Sequence, residues 1–202
     1  MSRCLTSVRL WFGVSVLALA AGCVSEQAKR DAINEVNAAF KAEYEATLAK
    51  DGTHFVNASP SEAFDAVNAS FVKLGLVVTQ QSRGLGLITA EAPAPRPLDR
   101  GEWDHAAAND LPKTRELLRK HLGVVAELFN FEPEGLDTVM TATIIGARGG
   151  SEISYTMRMR EVAPPTQNLP RRDYPPPTAL KVGLAKLWAS VAKELAPIPH
   201  KP

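Results

Sequence analysis

Cysteine is nearly absent from this chain: there are two in 202 residues, Cys4 and Cys23, both close to the start. From Val24 onward no thiol remains for a disulfide, a thiolate metal ligand or a cysteine nucleophile, so a fold there must rest on its apolar core alone. Charge of one sign is lacking as well. With 23 Lys and Arg against 22 Asp and Glu, the formal net charge is +1, which sets up no field to gather nucleic acid or another polyanion. The longest apolar run, Leu10 to Ala21, is about 12 residues, whereas a membrane-spanning helix needs about 20. There is no G-x-S-x-G, no H-E-x-x-H and no phosphate loop, and Gly84-Leu85-Gly86 is too short a fragment to be diagnostic. These absences point away from an enzyme and from a bound cofactor.

What the N-terminus does contain is an address. Arg3 and Arg9 form a basic leader, Leu10 to Ala21 an apolar core, and Ala20-Ala21-Gly22 the small residues that a signal peptidase requires. The stretch Leu17-Ala18-Leu19-Ala20-Ala21-Gly22-Cys23 resembles the lipobox of bacterial lipoproteins, with Ala20 where a leucine is usual. The resemblance implies that residues 1–22 are removed and that Cys23 is the lipid attachment site. It also implies that Val24, standing where an aspartate would favour the inner membrane, sends the protein to the outer membrane facing the periplasm. Loss of a 22-residue signal leaves 180 of the 202 residues, and loss of Arg3 and Arg9 takes the net charge from +1 to −1. A single acyl chain holds a protein only marginally, so stable anchoring through Cys23 needs more than one.

Beyond the anchor, residues 26–50 contain no Gly or Pro, and Ile33, Val36, Phe40, Tyr44 and Leu48 recur at spacings of three and four. This predicts a helix, stopped by Asp51-Gly52. Residues 23–52 are expected to be a lipidated start and a helical spacer of about 37 Å at 1.5 Å per residue, the alternative being a helix folded back onto its domain. Thr53 to Ala58 reads as a strand. Ser59-Pro60-Ser61-Glu62 is a capping box opening a helix with Phe64, Val67, Phe71 and Leu74 on one face, closed by Gly75.

Two strands, Leu76 to Gln80 and Leu85 to Ala92, are expected to form a hairpin before Pro93, Pro95 and Pro97 break the pattern. A helix is predicted over Pro112 to Phe129, with Asp110 as its cap, Leu117, Leu118, Leu122, Val125 and Leu128 inward, and Gly123 dividing it. A second hairpin, Leu136 to Ile145 and Glu152 to Val162, turns at Arg148-Gly149-Gly150. Its last strand alternates Ile153, Tyr155, Met157 and Met159 with Ser154, Thr156, Arg158 and Arg160. Thr178 caps a final helix with an apolar face of Leu180, Leu184, Leu187, Trp188, Val191 and Leu195, and residues 197–202 form a tail.

Amphipathic helices and a one-sided antiparallel sheet hide their apolar faces most simply against each other. The expected fold over residues 53–196 is therefore a single α+β domain: a two-layer sandwich of about five antiparallel strands and two or three helices, preceded by the N-terminal helix. The order of elements, with Ala63-Phe64-Asp65-Ala66-Val67, Leu74-Gly75-Leu76 and Gly86-Leu87-Ile88, resembles the helix-grip domains of component C of the outer-membrane β-barrel assembly machinery. That resemblance implies fold more than function.

Four candidate surfaces follow. Glu102, Asp104, His105 and Asp110 cluster in a stretch read as a polar loop, but without the second histidine or cysteine of a tight metal site. Lys113, Arg115, Arg119, Lys120 and His121 make a basic helix side, either solvated or facing anionic headgroups or glycan. If two proline-rich loops leave the sheet at one end, they gather Arg96, Trp103, Arg171, Arg172 and Tyr174 into an interaction rim, types enriched at binding hot spots; otherwise the prolines protect a sheet edge, and Trp103 and Tyr174 pack on the core. In the alternative arrangement, Met157, Met159 and Trp188 line a ligand cavity between the sheet and the C-terminal helix. The sequence thus predicts a membrane-anchored, non-catalytic periplasmic lipoprotein that meets an envelope protein partner and no nucleic acid, or else a small-ligand module.

Overall fold

The computed structural model describes residues 24–162, 170–171 and 174–196; the signal segment, Cys23 and Arg172 lie outside them. Helix α1 runs Glu26–Asp51, its N-cap Ser25 accepting a hydrogen bond from Ala28 N–H. Strand β1 (Thr53–Val56) leads to α2 (Pro60–Lys73). At the start of α2 the box forms as read. Ser59 Oγ accepts from Glu62 N–H, and the Glu62 carboxylate accepts from Ser59 N–H at 2.8 Å. Gly75, at φ 77°, then turns the chain into β2 (Val77–Ser82).

Strand β3 (Leu87–Pro93) is followed by two cis peptides, Ala94–Pro95 and Arg96–Pro97, and then by α3 (Arg100–Leu122). This helix begins twelve residues before Pro112. Asp99 and Glu102 form a second capping box at its true start, so Asp110 is not its cap. Pro112 sits inside the helix with its ring exposed to solvent. Gly123 does divide the stretch: at φ 56° it ends α3, and a 3-10 segment, Gly123–Leu128, follows. Leu128, expected inward, is exposed, because the 3-10 twist buries Ala126 in its place.

Strands β4 (Leu136–Ala147) and β5 (Gly150–Glu161) form the long hairpin, and α4 (Pro177–Glu194) ends the fold. The five strands make one antiparallel sheet in the order β1-β5-β4-β3-β2. Alternation decides which face is dry. Ile153, Tyr155, Met157 and Met159 of β5, Met140 and Ile144 of β4 and Ile88 of β3 are buried under the helices, together with Phe64, Val67, Phe71, Leu180, Leu184 and Leu187. The fold is the expected two-layer α+β sandwich, with helices on one face of the sheet. Among the described residues the other face is the wetter one, carrying Phe55, Thr156, Arg158 and Arg160 exposed.

The spacer expectation is corrected by α1. Its stripe of Ala32, Phe40, Tyr44 and Thr47 is buried, and it packs against α3 and α4. A stripe with two aromatic rings lowers its free energy more by covering the domain than by standing in water. The domain therefore includes α1.

Candidate functional site

An apolar slot opens beneath α1 at the sheet end where β4 begins and β5 ends. Ile33, Val36 and Phe40 of α1 form its roof, Trp103 and Leu118 of α3 one wall, and Leu136 and Met159 the strand ends at its floor. Phe129, Phe131, Tyr174 and Pro176 complete it, and its volume is about 70 Å³. The polar side chains on its lining are Asn37 and Glu132.

The slot owes its shape to a stretch of chain with no regular structure. Residues 129–131 open the link from the 3-10 segment to β4 and have no ladder of their own, so side chains satisfy the carbonyls of Phe129 and Phe131. Trp103 Nε1–H donates to Phe131 O at 3.1 Å, while Arg115 donates to Phe129 O through Nε at 3.1 Å and Nη2 at 3.0 Å. Thus pinned, Phe131 stacks on Phe40 with centroids 5.9 Å apart, and Phe129 meets Phe131 edge-on at 5.1 Å. On the other side Tyr44 meets Tyr174 edge-on at 5.2 Å, and Asn37 Nδ2 donates to Arg171 O at 2.9 Å. Helix α1 is thus fastened on both flanks of the slot.

The expected rim does not assemble as an exposed surface. Trp103 is 1% exposed; an indole whose N–H finds a buried carbonyl packs inside at no polar cost, so it is a core residue and a wall of the slot. Tyr174 is half-buried beside it, with Arg158 over its ring at 5.8 Å. Arg96 is elsewhere, donating to Gly75 O at 3.0 Å at the α2–β2 turn. Arg171 is exposed and enters through its carbonyl, and Arg172 lies outside the described residues.

The cavity expected between sheet and α4 is filled. Met157 is fully buried, its sulfur 2.9 Å from where a Cβ on Gly183 of α4 would lie. Trp188 stacks on His54 at 4.0 Å and donates to Asp51 O at 2.8 Å. Of the three residues proposed for that cavity, Met159 alone lines the slot, which lies one helix away.

The acidic cluster lies along α3, not in a loop, and each member has its own partner. Glu102 closes the capping box and accepts from Lys186 at 2.6 Å; Asp104 pairs with Arg100; His105 meets Asn109. Asp110 accepts from Thr178 N–H at 2.8 Å and Thr178 Oγ at 2.7 Å. Its carboxyl is held above the ordinary value by burial, against which the two Thr178 bonds act. No three His, Cys, Asp or Glu among the described residues lie close enough to hold a metal ion.

The basic side of α3 is likewise spent. Lys113 pairs with Glu43, Lys120 with Glu35 at 2.5 Å, and His121 Nε2 meets Glu35 Oε2 at 2.6 Å. Arg119 pairs with Glu127. The Lys120 and His121 bonds hold the Glu35 carboxyl below its ordinary value. This seam joins α3 to α1 and was readable in the sequence: Glu35 and Glu43 are eight apart, Lys113 and Lys120 seven, the spacing of two antiparallel helix faces. Among the described residues no helix is long and apolar enough to cross a membrane. Compared with family models, with curated proteins and with solved structures, the chain matches none.

Proposed function

We propose that the chain is a lipid-anchored protein of the cell envelope, held by Cys23 in the outer membrane and facing the periplasm. Its domain is a non-catalytic binding module, and the slot beneath α1 receives an apolar side chain of an envelope protein partner. The observation that carries the reading is the slot's chemistry and size. Small-molecule sites typically offer about 300–1,000 Å³ with several convergent polar groups to fix orientation. At about 70 Å³, lined by aromatic and aliphatic side chains, this one fits a single anchor residue of the kind that dominates protein interfaces. Asn37 does not supply the missing polar anchor, since its amide is already given to Arg171 O.

The second reading, a small apolar ligand, is favoured by one feature, the enclosure of the slot by five aromatic side chains. A photo-crosslinking amino acid at Asn37, at the edge of the slot, separates the two in intact cells. The expected result is one discrete adduct with an envelope protein, abolished when Val36→Trp fills the slot. Adducts with lipid or small molecules alone would replace the partner by the ligand. Labelled palmitate that still enters the Cys23→Ser chain would remove the anchor.

A further inference from the structure

Val124 and Leu128 are the most exposed large aliphatic residues among those described, at 80% and 81%. Both belong to the 3-10 segment Gly123–Leu128, while Ala126 between them is fully buried with Ala32 of α1 and Leu118 of α3. The segment is therefore fixed by its inner residue and turns two aliphatic side chains to solvent. Scattered exposed aliphatics are ordinary on any protein. These two are distinguished by their position.

Helix α1 runs antiparallel to α3, since Glu35 meets Lys120 while Glu43, further along α1, meets Lys113, further back on α3. The beginning of α1 thus lies at the same end of the molecule as the 3-10 segment. Ala32, which packs with Ala126, is six residues past Glu26, about 9 Å along the helix. Cys23 stands three residues ahead of Glu26.

We propose that Val124 and Leu128 form a membrane-docking point, dipping into the interface of the bilayer that holds Cys23. The proposal rests on the reading of Cys23 as the lipid-bearing residue. It follows from continuity: a domain fastened to α1 and anchored three residues before that helix brings this end, with its two bare aliphatic side chains, to the lipid surface.

Charge says what kind of surface fits. Of the cations nearby, Lys29 is paired with Glu26, Lys120 with Glu35 and Arg119 with Glu127, which leaves Arg30 as a cation without an ion pair among the described residues. The contact is therefore mainly apolar, with Arg30 the one nearby described cation left for an anionic headgroup, and depends only weakly on salt, which suits a phosphatidylethanolamine-rich leaflet as well as an anionic one. Two side chains do not hold a protein on a membrane. The acyl chains supply residence, and the pair supplies orientation.

Leu85 provides an internal control. It is 75% exposed in the β2–β3 turn, where the neighbouring Gly86 O accepts from Ile144 N–H at 2.7 Å. That is the opposite end of the sheet from Leu136 and Met159, so Leu85 stays in water when Val124 and Leu128 dock.

The test uses single thiols, Val124→Cys, Leu128→Cys and Leu85→Cys, each carrying a fluorophore. The chain from residue 23 onward carries Cys23→Ser and an added N-terminal histidine tag, and is bound to phosphatidylethanolamine and phosphatidylglycerol vesicles through a nickel-chelating lipid. Acyl-chain quenchers should dim the probes at 124 and 128 about twofold, as for groups buried roughly 5–10 Å into the interface, and leave the probe at 85 unchanged. The pattern should persist in high salt. Equal or absent quenching at all three positions would overturn docking, as would shielding of 124 and 128 by another protein and not by lipid. Because the tag replaces the lipid, failure of the natively processed chain to float with vesicles would count against the anchor alone.

Discussion

Asp110, near the middle of α3, caps a helix other than its own: both of its carboxylate oxygens are taken by Thr178, one by the backbone N–H and one by the hydroxyl, at the first turn of α4. The N-cap position of α4 is Pro176, which has no side chain to donate or accept. The orphan amide must be satisfied from elsewhere, and a carboxylate at a helix N-terminus also meets the favourable end of its dipole. Asp110→Ala should therefore cost about 1–2 kcal/mol, read as a lower denaturant midpoint with an unchanged slope.

Burial of the same carboxyl gives a pH dependence, which the Thr178 bonds only reduce. Asp110 titrates above its ordinary 3.8 because burial disfavours its charge, so its contribution to stability is fully present below 3.8 and is lost as pH rises through the raised value. Asp110→Asn removes that dependence. Denaturation curves across this window should show the native chain gaining on the variant as pH falls, and a constant gap would contradict the assignment. Glu62, held low by its bonds to Ser59, acts in the opposite sense, its contribution being present above 4.5 and lost below.

Trp103→Ala should cost about 3–5 kcal/mol, the range for deleting a buried aromatic, because it opens the core and frees the Phe131 carbonyl. Calorimetry that found less than a few degrees of lowered Tm would restore Trp103 to the surface rim.

Phe40→Ala and Tyr44→Ala test whether α1 belongs to the domain. Each should lower stability by about 2–4 kcal/mol, since both rings pack on partners far along the chain. A free spacer would lose nothing.

Gly86→Ala should be among the most damaging small substitutions. Gly86 sits at φ 62°, and a Cβ there would lie 2.0 Å from Ile144 O, a backbone atom that cannot swing aside. The expected loss is about 2–3 kcal/mol. Tyr155→Phe should do the reverse of harm. The Tyr155 hydroxyl is buried with no hydrogen-bond partner among the described residues, and burial pushes its ionisation far above the usual phenol range, so its removal should leave stability unchanged or raise it by up to about 1 kcal/mol.

Local signals carried most of the fold. The Ser59 box, the two-residue alternation through Ile153 to Met159 and the apolar stripe of Leu180, Leu184 and Leu187 each follow from forces acting within a few residues, and each is found where the sequence put it. The errors arose where two local signals competed or where distant residues decided. Pro112 looked like a helix start because its missing N–H is harmless there, yet Asp99 and Glu102, a box just as readable, had already begun the helix. Whether Trp103 was rim or core stayed open because its partner, the Phe131 carbonyl, comes from another element, and the basic run from Lys113 finds its acids only when α1 and α3 are compared as a pair. The slot itself was not legible, since its walls come from five separate stretches of chain.

The docking of α1 also sets a length scale for whatever is attached ahead of Val24. A free helix would have been a boom some 37 Å long, letting the domain sweep a wide volume. On the proposed attachment at Cys23, the folded-back helix would leave Val24 and Ser25 as the leash before α1 begins. A tether that short raises the effective concentration of neighbours lying beside the attachment point and removes distant ones from reach. With the anchor at Cys23, the molecule's neighbourhood would be set by how little chain is left to pay out.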